Sequence, residues 1–180
     1  MRRLMLLRHA KTEHDAPSGR DRDRRLDERG QKDAAEIGGF LARHPPFPDL
    51  VMVSPAQRTK QTWELVWKAM KDRAAEPQVE FLPELYGGGV AQLHESVRAA
   101  SATDPKRLML VGHNPGMHEL ALALTGHGDA AGRKALADNL PTSGLAVLDF
   151  AGHDWNDVAF RRGRLVLFVT PKLLKQASGD

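Results

Sequence analysis

Residues 4–10 read LMLLRHA: four apolar side chains run without a break into an arginine and a histidine. An uninterrupted apolar run of this kind is the pattern of a strand buried on both faces, as in a parallel sheet covered by helices on each side. Arg8 and His9 then stand at the carboxyl end of that strand. On a surface loop the pair would carry no information. At the end of a central strand it marks a site, because ligands of open α/β sheets collect at the carboxyl ends of the strands.

The rest of the chain repeats the pattern. Asp49 to Val53 has LVMV at its heart, and Arg107 to Gly112 has LMLV at its centre and stops at His113. Between such runs the period changes. Asp27 can cap a helix in which Ala34, Ile37, Gly38 and Leu41 fall at i, i+3, i+4 and i+7, and Pro45 and Pro46 end it. Ser54-Pro55 and Asn114-Pro115 each read as an N-cap followed by proline at the first helical position. The first opens a helix to about Met70 with Trp63, Val66, Trp67 and Met70 on its core face. The second turns Met117, Leu120, Ala121 and Leu124 inward, with Gly126 closing it.

Val79 to Leu82 predicts a short strand, followed by a loop from Pro83 to Gly89 and a helix marked by Leu93, Val97 and Ala100. Asp129 to Asp138 predicts a further helix. Gly144 to Phe150 and Leu165 to Thr170 are late strands joined by few helical signals, which predicts an antiparallel edge strand. Residues 151–164 yield only a short helix around Trp155. The expected fold class is therefore α/β: a three-layer α/β/α sandwich on a mostly parallel central sheet, with residues 1–180 forming a single domain.

Composition narrows the function. Cysteine is absent, which excludes a disulfide scaffold, cysteine-ligated zinc and a cysteine nucleophile, and fits a cytoplasmic location. A net charge of +3 and a pI near 9.4 suit anionic substrates. No aromatic-basic patch offers a stacking platform, so nucleic acid is not an expected partner. The apolar run after Arg2 and Arg3 stops after four residues, too short for a leader or a membrane span. His118-Glu119 hints at a zinc motif, but Leu122 stands where its second histidine belongs, and no metal or cofactor is expected. The remaining histidines, including His94, show no partner pattern and read as surface residues. In the stretch from 14 to 25, arginines alternate with Asp21 and Asp23, a self-paired solvated loop unless some of them rim an anion pocket.

Five polar residues share one edge of the inferred sheet: Arg8, His9, Arg58, Glu84 and His113. Two helix starts are aimed at the same edge and favour an anion there. Two arginines can hold a phosphoryl group through forked hydrogen bonds. Without cysteine the nucleophile must be serine, threonine, aspartate, histidine or activated water. Neighbouring cations disfavour an imidazolium, so Arg8 and Arg58 keep His9 neutral and nucleophilic while stabilising the charge of phosphoryl transfer. The chemistry inferred is metal-free and runs through a phosphohistidine.

These residues lie in motifs that resemble those of a known family. RHA at Arg8 to Ala10 is similar to the RHG signature of the histidine phosphatase superfamily, whose fold is phosphoglycerate-mutase-like. SPAQRTKQT (54–62) and VGHNPG (111–116) look like its second arginine and second histidine motifs. LDERG (26–30), LPEL (82–85) and the short chain resemble the compact SixA branch of phosphohistidine phosphatases. The resemblance implies that His9 is the phosphorylated nucleophile, that Arg8, Arg58 and His113 hold the phosphoryl oxygens, and that Glu84 matches the position of the leaving-group acid. Ala10 departs from the usual glycine. The chain lacks long insertions to cap the pocket, and an open site suits a phosphorylated protein side chain as well as a small phosphorylated metabolite; no cofactor is expected, and a monomer is. Rivals are a small-molecule phosphomonoesterase of the same superfamily, a mutase, and a binding module that recognises phosphate without turnover.

Overall fold

The computed structural model describes residues 1–179. In chain order the elements are β1 (Arg2–Arg8), α1 (Glu28–Arg43), β2 (Leu50–Val53), α2 (Gln57–Met70), β3 (Gln78–Phe81), α3 (Val90–Ala99), β4 (Arg107–Gly112), α4 (Gly116–Leu124), β5 (Thr125–Gly128), α5 (Ala130–Asp138), β6 (Leu145–Phe150), β7 (Gly163–Val169) and α6 (Pro171–Ser178). The strands form one sheet in the order β3-β2-β4-β1-β6-β7-β5.

The unbroken apolar runs have a simple cause. In β1, Leu4 and Leu6 point to one face and Met5 and Leu7 to the other, and both faces are covered. Leu108 and Leu110 of β4 join the first layer, against Leu93 and Val97 of α3 and Met117, Leu120 and Leu124 of α4. Met109 and Val111 join the second, against Ile37 and Leu41 of α1 and Trp63, Val66 and Met70 of α2. Each such side chain, fully buried, contributes about 1.5–3 kcal/mol. The alternation expected of a sheet with one wet face is therefore missing from the central strands. Trp63 is core, as the helical period predicts.

Four details differ from the sequence reading. The antiparallel strand is β6, and it lies inside the sheet between β1 and β7; the edges, β3 and β5, run parallel to their neighbours. Helix α2 begins two residues later than Pro55, with Ala56 rather than Ser54 at its cap, and α4 likewise begins at Gly116 with Pro115 rather than Asn114 at its cap. Gly126 does not close α4. The helix ends at Leu124, the Thr125 hydroxyl donates to the Ala121 carbonyl at 2.6 Å, and the chain continues as β5. Helix α6 also escaped the reading, although Thr170 caps it by accepting from the Leu173 N–H at 3.1 Å. The short helix at Trp155 is present as a 3-10 turn over Trp155–Asp157.

Candidate active site

Strands β2, β4 and β1 end level with one another. Val53 pairs with Val111, and Val111 with Leu7. Beyond the strands the ladder continues for one more step: Ser54 N–H donates to Val111 at 3.0 Å, and His9 N–H to Gly112 at 3.0 Å. The start of β6 closes the other side, where Arg8 N–H donates to Gly144 and Ser143 N–H to His9, both at 3.1 Å. The backbone carrying Arg8, His9 and His113 is thus an extension of the most buried part of the sheet.

Helix α2 brings in Arg58. Thr62, one turn further on, donates to the Arg58 carbonyl at 2.7 Å and accepts from the Ala10 N–H at 3.0 Å, tying the turn after His9 to the turn bearing Arg58. Ala10 explains its own departure from glycine. Its methyl group is fully buried in a small cluster with Leu26 and Ala34.

His9 is 8% exposed and its Nδ1 lies 2.8 Å from the Ala10 carbonyl, which can only accept. The proton is therefore on Nδ1, and the lone pair is on Nε2. Burial chiefly, then the charges of His113, Arg58 and Arg8, push its pKa down from the ordinary 6.5 to about 3. The His113 ring centre is 5.3 Å away, and burial with Arg58 and Arg8 lowers its pKa to about 4. Its Nε2 is 2.7 Å from the Ser54 hydroxyl, while its Nδ1 is buried without a protein partner. When Ser54 donates to Nε2, Nδ1 carries the proton and is free to donate. The Nε groups of Arg8 and Arg58 are likewise buried and unpartnered. Three donors that have lost water and gained no protein acceptor fit an oxyanion beside His9.

A second layer fixes Arg58. Its Nη1 donates to the Asp21 carbonyl at 2.9 Å and its Nη2 to the Asp21 carboxylate at 3.1 Å. Tyr86 donates its hydroxyl to the same carboxylate at 2.6 Å and sets its ring edge-on to His113, 5.5 Å between centres. Hydrogen bonds from Tyr86, Arg24 and Arg58 hold Asp21 well below the usual carboxylate range. Arg22 lies over the outer side of the Tyr86 ring, 5.5 Å from its centre. The charged loop is thus both things the sequence allowed: Arg24 pairs within it, and Asp21 reaches the site.

The structure brings together four of the five expected residues, Arg8, His9, Arg58 and His113. Glu84 stands apart. It is exposed on a 3-10 turn, Pro83–Leu85, and faces a neighbouring groove with Glu80 and Glu95. Two polar residues that follow the histidines in sequence are engaged elsewhere: Thr12 accepts from Arg24, and Asn114 accepts from the His118 N–H at 3.2 Å while donating to Leu140 at 2.8 Å. His94 is half-buried against the Val158 carbonyl rather than a surface residue. Asp21, Ser54 and Tyr86 were not legible as site residues. Each acts on another side chain across a long sequence separation, and only the position of Ser54 beside the Arg58 helix gave any signal.

Among the described residues no group of three His, Asp or Glu side chains could hold a metal ion, and no helix is long and apolar enough to cross a membrane. The family model of the histidine phosphatase superfamily (branch 1) matches residues 4–107. An uncharacterized protein of Mycobacterium leprae is 33% identical over 174 residues, covering 92% of this chain and 100% of the relative. Among solved structures, a proposed phosphohistidine phosphatase SixA from Agrobacterium tumefaciens is 34% identical, with a TM-score of 0.78 over 94% of this chain and 98% of the other. A second proposed SixA, from Nakamurella multipartitia, is 30% identical, with a TM-score of 0.80 over 94% and 96%.

Proposed function

The chain belongs to the histidine phosphatase superfamily, and from that premise we propose that it is a phosphohistidine phosphatase of the SixA type working through His9. The observation that carries this reading is that His9 lies within electrostatic reach of Arg8, Arg58 and His113, whose buried Nε, Nε and Nδ1 atoms have no protein partner. The neutral imidazole attacks phosphorus in line. The new N–P bond forms from the Nε2 lone pair as the bond to the leaving group breaks, and the three donors take the charge on the equatorial oxygens. Water then attacks the phosphohistidine, the N–P bond breaks, phosphate leaves and His9 regains its lone pair. Positive charge comes from Arg8 and Arg58, so no metal is required by this scheme.

The leaving group distinguishes the substrates. An alkoxide needs a strong proton donor, whereas the imidazole of a phosphohistidine is a far weaker base and needs little help. Glu84 is the assigned donor, directly or through water, and its exposed position suits a substrate that makes the smaller demand. The same reading has a monomer acting in the cytoplasm on a phosphorylated protein, independently of nucleic acid. The lack of cysteine suits that compartment.

The test is a substrate panel on wild type and His9→Ala. A phosphohistidine peptide is expected to give a higher kcat/KM than sugar phosphates or nucleotides, and alkaline trapping after labelled substrate is expected to leave label on His9. A sugar phosphate or nucleotide at the top of the panel establishes the small-molecule phosphomonoesterase instead. Isomerised phosphate in the product establishes a mutase, and affinity without turnover a binding module. A His9→Ala variant as fast as wild type removes the mechanism.

A further inference from the structure

A groove of about 640 Å³ lies beside the site, between the outer strand β3 and helix α3. Its lining includes buried Met52, half-buried Leu82 and exposed Ala91, together with Glu80, Glu84 and Glu95. Of its lining, the mechanism uses only Glu84. Ala91, Glu95 and Ala99 stand at i, i+4 and i+8, so the groove follows one stripe of α3 for about 12 Å, the length of roughly four extended residues.

The groove adjoins the site along the chain. The 3-10 turn that points Glu84 into it places Tyr86, two residues on, against His113. At the start of α3, Gly88 packs so closely on Gly116, the first residue after the His113 turn, that a methyl group on Gly116 would strike its carbonyl. One end of the groove therefore lies next to the turn that carries His113.

Its charge runs against the rest of the molecule. The chain is net +3, yet three carboxylates meet here. Glu80 and Glu84 form no ion pair among the described residues, and Glu95 has only an exposed contact with Arg98 at 3.4 Å. An apolar lining under carboxylates with few cations near them complements a short segment that alternates apolar and basic side chains.

We propose that this groove docks a basic, apolar segment of the phosphorylated protein substrate, adjacent to the residue whose phosphoryl group enters at His9. The proposal rests on the phosphatase reading for its biological context, and its test does not. Binding of a fluorescein-labelled, unphosphorylated ten-residue peptide alternating Leu and Lys is measured by anisotropy on wild type and on Glu80→Gln/Glu95→Gln. Loss of two exposed ion pairs is expected to weaken binding about tenfold, and added salt to weaken it on wild type. A Leu/Glu peptide is expected to bind neither protein. Equal affinity of both proteins for the Lys peptide, or binding of the Glu peptide to wild type, overturns the docking role. Displacement by spermidine at matching affinity overturns it in favour of a small polycation. The double variant should hydrolyse para-nitrophenyl phosphate as wild type does, while kcat/KM for a phosphohistidine peptide with basic flanks falls about tenfold. Failure of wild type to hydrolyse para-nitrophenyl phosphate strikes at the phosphatase reading alone, since the anisotropy result does not depend on it.

Discussion

Acidification from about pH 7.5 to about pH 4.5 is expected to remove about 4–5 kcal/mol of folding stability, and two histidines account for it. Burial and neighbouring cations hold His9 at about 3 and His113 at about 4, against an ordinary 6.5. Because both folded values lie below the unfolded one, the unfolded chain binds more protons in between. Stability is therefore complete above 6.5 and is lost as the pH falls below it. Two pH units at about 1.4 kcal/mol each give about 2.5 kcal/mol for His9, and about 2 kcal/mol for the less buried His113 after allowance for solvent. Asp21 is shifted in the same downward direction, but its contribution is present above 3.8 and is lost only as the pH falls below that value, outside this window. Against a typical total of about 5–15 kcal/mol, the loss is large. Urea unfolding at the two pH values measures it directly, and His9→Asn/His113→Asn should show only a small difference between them. A wild type equally stable at both, or a double variant that loses as much as wild type, refutes the reasoning.

Three further outcomes follow from the geometry. Asp21→Ala frees the far edge of Arg58 and the Tyr86 hydroxyl, so kcat/KM for para-nitrophenyl phosphate should fall about tenfold; unfolding stability should fall by about 1 kcal/mol, because Asp21 is half exposed although Arg58 is buried. Glu84→Gln should slow an alkyl phosphate about a hundredfold and spare para-nitrophenyl phosphate, whose leaving group needs no acid; an equal effect on both, or none, makes it an ordinary surface carboxylate. Gly126→Ala places a methyl group on the carbonyl oxygen of Arg161 and should cost at least about 2 kcal/mol in unfolding experiments, since backbone rather than a flexible side chain must move.

What could be read from the sequence followed the strength of the local signal. LMLL, LVMV and LMLV announce strands buried on both faces, and each is followed within a few residues by a polar group that the core would reject. Position at the carboxyl end of a central strand then makes Arg8, His9 and His113 neighbours before any coordinates are known. The misreadings have equally local origins. Residues TGHG of β5 contain no apolar side chain, so their pairing with β7 left no periodic trace. The antiparallel direction of β6 was legible, but its place in the sheet depends on β1 accepting it as a neighbour, which is a tertiary fact. Asp21 was hidden for another reason: in a loop of alternating charges, nothing marks the one carboxylate that turns inward to Arg58.

The three donors beside His9 cannot tell an incoming ester from the ion left after hydrolysis. Orthophosphate satisfies them as well as substrate does, and it carries no leaving group to be expelled. Under the proposed mechanism, orthophosphate is expected to inhibit competitively, so that turnover falls as phosphate rises.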